Sequence, residues 1–310
     1  MVGFIHHDLF LKHLEGFPHS ERPERLTAIF DRIKNSSVNQ SLKFIEAQPA
    51  EIRWLERVHD ADYVNDILTL KTDDAVILDW GDTIATSATP QAALHAAGAG
   101  VQAVRLVLEG KLSSAFCAVR PPGHHALHDQ VMGFCLFNNI AVTAAALVED
   151  LGLERVAIVD FDVHHGNGTE RAFIKDDRVL FVSLHQYPYY PGTGAADIVG
   201  DGQGRGYNLN IPMASGSGDE DYTQAFNEKV IPALDDFKPE FILISAGFDA
   251  HQNDPLAFIN LSSQMFGTMT AMLRECADCH CDGRIVSFLE GGYDLDALAE
   301  GVEEHLKALT

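Results

Sequence analysis

Asp160, Asp162 and His164 stand at i, i+2 and i+4 where an apolar run ends, in Ile158-Val-Asp-Phe-Asp-Val-His-His-Gly-Asn-Gly168. In extended backbone that spacing points all three side chains to one face. Two carboxylates and an imidazole buried together are costly unless a cation compensates, so the pattern reads as a metal centre, not as a strand end meeting solvent. A second apolar run, from Ile242, passes through a glycine turn to Asp249, which can reach the same cleft. Two carboxylates and one imidazole from this group make a three-ligand set with an open position, as catalytic zinc sites require. The same donors admit Fe(II), Co(II) or Mn(II). His251 is read as a solvent-facing loop histidine in preference to a fourth ligand.

Two further pieces lie after apolar runs. Arg120-Pro-Pro-Gly-His124-His125 holds tandem imidazoles on a stiff loop, and imidazoles near a metal need carboxylate or amide partners to fix their tautomers. Asp160 and Asn167 are the natural partners. Leu289-Glu-Gly-Gly-Tyr293 places a phenol where glycines allow close approach, and such a phenol could donate to a developing oxyanion.

The elements that must position these groups are legible as alternation. Short runs rich in Val, Ile and Phe at 114–119, 155–160, 179–184, 207–211, 241–245 and 284–289, with a further candidate at 2–5, read as strands of a parallel sheet covered on both faces. Helical periodicity occupies 23–35, 60–71, 90–109, 137–151, 219–237, 262–277 and 294–308. The expected fold is α/β, with a central, mainly parallel sheet flanked by helices and one domain over 1–310. Long loops at 121–135, 185–206 and 247–261 each follow a strand, where open α/β sheets bind ligands.

Composition narrows the partners. With 45 acidic and 22 basic side chains in 310 residues, the net charge is −23, which excludes nucleic-acid backbone as a principal ligand. The acidity serves solubility or a cationic substrate. No apolar stretch reaches the length of a membrane span, and the N-terminus lacks the basic and apolar regions of a secretory signal. Five cysteines, an odd number, fit reduced thiols, so a cytoplasmic location is expected.

The strings HSERPERL, RPPGHH, GFCLFNN, DFDVHHGNGT, YYPGTG, SAGFDAHQNDPL and LEGGY occur in the order found in the zinc-dependent histone deacetylase superfamily, which the chain resembles over nearly its whole length. The resemblance implies an arginase-like fold and a zinc-dependent amide hydrolase of class II-like, bacterial amidohydrolase type. Zinc would be held by Asp162, His164 and Asp249. His125 would act as general base and then acid, His124 as its electrostatic neighbour, with Asp160 and Asn167 as their partners and Tyr293 polarising the carbonyl. Gly133, Phe134 and Tyr190 would line the acyl-lysine tunnel, with Asp82 and Leu256 at its rim and Arg25 near an internal channel. Structural potassium is also implied, with Asp160, Asp162, His164, Ser183 and Leu184 at one site and Phe173, Val179 and Tyr207 at another.

Three functions compete: a lysine deacylase acting on proteins or peptides, a small acyl-amine hydrolase such as an acetylpolyamine amidohydrolase, and a non-catalytic acyl-lysine binding module. An apolar Leu256 leans away from a cationic polyamine chain. A homo-oligomer is compatible with the sequence. Cys276-Ala-Asp-Cys279-His280-Cys281 matches a haem-attachment string but lacks an export signal, and it is read as a helix end with inert thiols. Gly202-Gln-Gly204-Arg-Gly206 precedes a strand and has no helix dipole to offer a phosphate. His6, His7, His13 and His19 are read as scattered surface or rim histidines.

Overall fold

The computed structural model describes residues 1–79 and 81–310. Ten strands are present among them: β1 (Val2–His6), β2 (Leu42–Glu46), β3 (Val76–Ile77), β4 (Ile84–Ala85), β5 (Ser114–Cys117), β6 (Val156–Asp160), β7 (Val179–Gln186), β8 (Asn208–Met213), β9 (Phe241–Ala246) and β10 (Ile285–Leu289). Eight of them form one sheet in the order β2-β1-β5-β10-β9-β6-β7-β8, and every pairing in it is parallel. β3 and β4 form a separate antiparallel pair. This is the α/β architecture that the alternation of apolar runs predicts.

Burial explains why the central strands are so readable. Every residue of β5, β6, β7, β9 and β10 is buried, because helices cover both faces of a parallel sheet. β2 escapes the same reading. It is an edge strand, and Lys43 and Phe44 are exposed, so Leu42–Glu46 lacks the continuous apolar signature.

The helices fall close to their expected bounds, at Glu24–Lys34, Ala61–Thr69, Thr89–Leu108, Asn139–Glu149, Ser263–His280 and Leu295–Leu309. The expected helix at 219–237 is continuous but changes pitch, with a π segment at Phe226–Val230 between Asp219–Ala225 and Ile231–Phe237. Several starts carry a cap that satisfies a free backbone donor: the Asn138 side chain accepts from Ala141 N and Asp294 from Ala297 N. One large apolar cluster spans the sheet and its helices, and a smaller one centres on Trp54, Leu55 and Phe137.

One expectation about the metal strand needs correction. The backbone is extended only to Asp160, and Asp162 to His164 lie in a bend beyond β6. The three side chains therefore do not share a face by strand alternation. The bend separates them, with Asp160 turned toward His124 and Asp162 and His164 toward Asp249.

Candidate active site

The chemistry collects beyond the carboxyl ends of five adjacent strands, β5, β10, β9, β6 and β7. Asp162 and His164 follow β6, and Asp249 follows β9. His164 Nδ1 lies 3.2 Å from Asp162 Oδ1 and 3.1 Å from Asp249 Oδ2. One donor atom from each of the three residues falls within 4.8 Å of the others. The outer carboxylate oxygens are already held, since Gly291 N donates to Asp162 Oδ2 at 2.8 Å and Val163 N to Asp249 Oδ1 at 2.9 Å. What remains is a buried, doubly anionic set facing one point, the donor chemistry that suits a divalent cation. His164 shows the same demand: burial alone would lower its pKa, but hydrogen bonds to and charges of Asp162 and Asp249 raise it to about 10.

The tandem histidines are fixed as a pair. His124 Nδ1 meets Asp160 Oδ2 at 2.9 Å, and the two rings lie 4.0 Å apart between centroids. Burial opposes charge on His124, but Asp160, Asp162 and Glu290 outweigh it and raise its pKa to about 10. His125 goes the other way, lowered well below its ordinary value by burial and then by the charges of His124 and His164. His125 Nδ1 lies 2.7 Å from Asn167 Oδ1, while Asn167 Nδ2 donates to Met132 Sδ at 3.4 Å. The amide oxygen can only accept, so His125 carries its hydrogen on Nδ1 and keeps the Nε2 lone pair free.

A cavity of about 190 Å³ opens above these groups, lined by Asp82, His125, Gly133, Phe134, His164, Tyr189, Tyr190, Leu256 and Tyr293. Tyr190 stands edge-on to His125 at 5.3 Å, and Phe134 edge-on to Tyr293 at 5.9 Å. Gly133 has φ +55°, and a Cβ there would overlap the His125 ring, so the wall can close on that imidazole only with glycine at this position. Phe134 also has φ +69°, held by a hydrogen bond from its N to Thr83 Oγ1 at 3.1 Å. Thus every expected catalytic, wall and rim residue comes to one place. Asp160 and Asn167 stand behind the histidines.

Sequence reasoning missed four contributors. Tyr189 stacks on His164 at 5.9 Å and donates its hydroxyl to Leu256 O at 2.9 Å. Glu290 accepts from Gly123 N at 2.7 Å and His124 N at 3.2 Å, and burial lifts its pKa to about 7. Asp254 accepts from Tyr293 N at 2.6 Å. Glu21 lies fully buried between Arg25 and Arg120, and Arg25 spans from Glu21 to Gly292 O at 2.6 Å and Glu290 O at 2.5 Å. Arg25 also sits 5.1 Å from the Tyr293 ring centroid, which puts it against the tyrosine loop. All four lie within the quoted strings, but an isolated carboxylate or tyrosine carries no role by itself, since carboxylates are common at the surface.

Two histidine expectations are overturned. His251 is buried, and its ring meets Ser263 Oγ at 3.1 Å, so it is neither solvent-facing nor a metal ligand. His13 is not a surface residue: it is 1% exposed and lies 3.3 Å from Glu21 Oε2. His19 does reach the rim, edge-on to Phe134 at 4.7 Å. Of the residues matched to potassium, Asp160 and Ser183 face each other in the β6–β7 register, followed by Leu184. Val179 opens β7, Phe173 closes the short helix Asn167–Phe173, and Tyr207 O accepts from Phe181 N at 2.9 Å just before β8.

The family model of the histone deacetylase domain matches residues 19–309, which contain every cavity-lining residue and the groups that hold them. The chain belongs to the histone deacetylase family. It is 39% identical over 298 residues to a probable deacetylase of Archaeoglobus fulgidus, covering 96% of this chain and 82% of that one. A histone deacetylase-like amidohydrolase of Pseudomonas aeruginosa is 42% identical over 276 residues, covering 89% and 72%. The solved HDA15 HD domain superposes with a TM-score of 0.93 at 37% identity, covering 99% of this chain and 87% of that one. This histone deacetylase-family hydrolase has an arginase-like parallel sheet flanked by helices. No helix among its described residues is long and apolar enough to cross a membrane.

Proposed function

We propose that the protein is a zinc-dependent amidohydrolase that removes acetyl or other acyl groups from lysine side chains. The observation that carries this reading is the meeting of Asp162, His164 and Asp249 with the His125–Asn167 pair at the floor of a narrow, aromatic-walled cavity. A divalent cation held by Asp162, His164 and Asp249 would supply Lewis acidity for the amide carbonyl and for a water molecule. His125 Nε2 takes the water proton and later delivers it to the leaving amine. His124, kept cationic by Asp160, adds positive charge near the developing oxyanion, to which the Tyr293 hydroxyl donates. Phe134, Tyr189 and Tyr190 give an aliphatic lysine stem apolar walls and exclude water from the reacting carbonyl.

Leu256 at the rim and the exposed ring of Phe258, 5.9 Å from Tyr189, favour a peptide over a polyamine. Asp82 offers the one carboxylate among the cavity-lining residues, suited to a backbone amide or an amine. Structural potassium near Asp160, Asp162, His164, Ser183 and Leu184, and at Phe173, Val179 and Tyr207, and a cytoplasmic location belong to the same reading.

The test is hydrolysis by metal-loaded protein of a panel of acyl-lysine peptides, acetylpolyamines and small acyl amides. Peptides are expected to be cleaved best. A polyamine preference of orders of magnitude would replace the lysine reading, and no hydrolysis of any amide with metal bound would leave a binding module.

A further inference from the structure

The described residues contain a second mixed-donor cluster at the far pole of the sheet. Cys276 and His280 are i, i+4 on the helix Ser263–His280, so their side chains stand on one face. Asp235 projects from the neighbouring helix Ile231–Phe237. A thiol sulfur, an imidazole nitrogen and a carboxylate oxygen from these three all lie within 4.8 Å of one another. His280 Nε2 is 2.7 Å from Asp235 Oδ1, so the imidazole already points at the carboxylate across the helix–helix gap. The other two thiols of the segment are placed differently: Cys281 Sγ donates to Arg284 O at 3.7 Å, and Cys279 is exposed.

Position separates this cluster from the active site. The helix Ser263–His280 runs into the start of β10 and Ile231–Phe237 into the start of β9. Both therefore end at the amino edge of the sheet, whereas the candidate catalytic groups follow the carboxyl ends of the same strands. Donor chemistry separates the two as well. Asp162, His164 and Asp249 offer only oxygen and nitrogen, while this cluster adds sulfur. One thiolate, one imidazole and one carboxylate suit zinc or cobalt and disfavour the hard cations magnesium and calcium. Burial, with Asp235 and the neighbouring thiols, keeps the Cys276 thiol protonated near neutrality, up to about 12, so a cation would have to displace its proton to solvent. The −23 net charge of the chain favours cation uptake at such a point.

We propose that Asp235, Cys276 and His280 form a second metal site, for a thiophilic divalent cation of the zinc type, which clamps the two helices that feed β9 and β10. Water completes the coordination, and the site has no part in hydrolysis. This inference stands apart from the proposed activity. The competing picture is a plain His–Asp hydrogen bond at the carboxyl end of a helix.

Cobalt distinguishes the two. The full-length protein is titrated with Co(II) and followed in the near ultraviolet, where thiolate-to-cobalt charge transfer absorbs and an all-oxygen-and-nitrogen site is silent. A charge-transfer band that saturates with a second equivalent of cobalt is expected. The band should vanish in Cys276→Ser and persist in Asp249→Asn, which disables the first site. Asp235→Asn, a surface change on a side chain 57% exposed, should weaken cobalt binding at the band at least tenfold without unfolding the protein. Absence of the band in the wild type, its survival in Cys276→Ser, or unchanged affinity in Asp235→Asn would each overturn the proposal.

Discussion

Tyr293 shows how much a single position is constrained. Its backbone is tied to Asp254, its ring lies between Arg25 and Phe134, and its side chain faces the cavity with His125 and His164. Burial raises the phenol pKa well above its ordinary value, so the hydroxyl stays protonated and can donate. Tyr293→Phe keeps the ring packing and removes only the donor. Turnover should fall roughly 10²–10³-fold, as for other oxyanion donors, with metal content unchanged. Steady-state kinetics beside metal analysis checks this, and near-normal turnover would take Tyr293 out of the mechanism. At the same scale, the sequence named the groups with distinctive types, the tandem histidines and the paired aspartates. It passed over Glu21 and Glu290, because a lone glutamate announces nothing until two arginines or two backbone amides close around it.

At the scale of elements, the loop after β10 does more than carry the phenol. Gly291 N donates to Asp162 Oδ2, and a Cβ on Gly291 would overlap the carboxylate of Asp249. Gly291→Ala should therefore push apart two candidate metal ligands, lowering metal affinity by about 10–100-fold, the range seen when the partners of metal ligands are lost. Zinc competition with a chromophoric chelator measures it, and unaltered affinity would show that the loop has room to give. Element types and most bounds were readable because a doubly covered parallel sheet demands apolar runs and amphipathic helices demand a period. β2 was unreadable because Lys43, Phe44 and Glu46 are exposed and break its apolar run, whereas β8 at the other edge stays largely buried. The bend at Asp162–His164 was also missed, since period-two spacing looks the same whether the strand continues or breaks.

For the whole molecule, stability should carry the mark of buried neutral imidazoles. His305 is fully buried, with Thr270 Oγ1 at 2.6 Å and Ser287 Oγ at 2.8 Å, and burial lowers its pKa from 6.5 to about 3. Below pH 6.5 the unfolded chain takes up a proton there that the folded chain refuses, so this contribution to stability falls as pH falls, until the folded pKa is reached. The loss is ~1.4 kcal/mol per pH unit for one group. His305→Gln cannot titrate, so it should be less stable than wild type at pH 7.5, with the gap narrowing by ~2 kcal/mol by pH 5. Urea unfolding at the two pH values tests this, and a pH-independent gap would mean that His305 does not resist protonation.

Amino-acid types and order alone determined the alternating strands and helices, the candidate metal-ligand and proton-transfer residues, and the family to which they point, because local periodicity and side-chain chemistry are properties of the chain. Only the tertiary structure decided which strand ends are neighbours. The chain order β5, β6, β7, β9, β10 becomes the spatial order β5-β10-β9-β6-β7, and that rearrangement seats the tyrosine loop between the histidine loop and the Asp249 loop. It also decided that Asp249 joins His164 at the candidate metal position and that Glu21 holds Arg120, since those pairings depend on contacts between residues more than eighty positions apart.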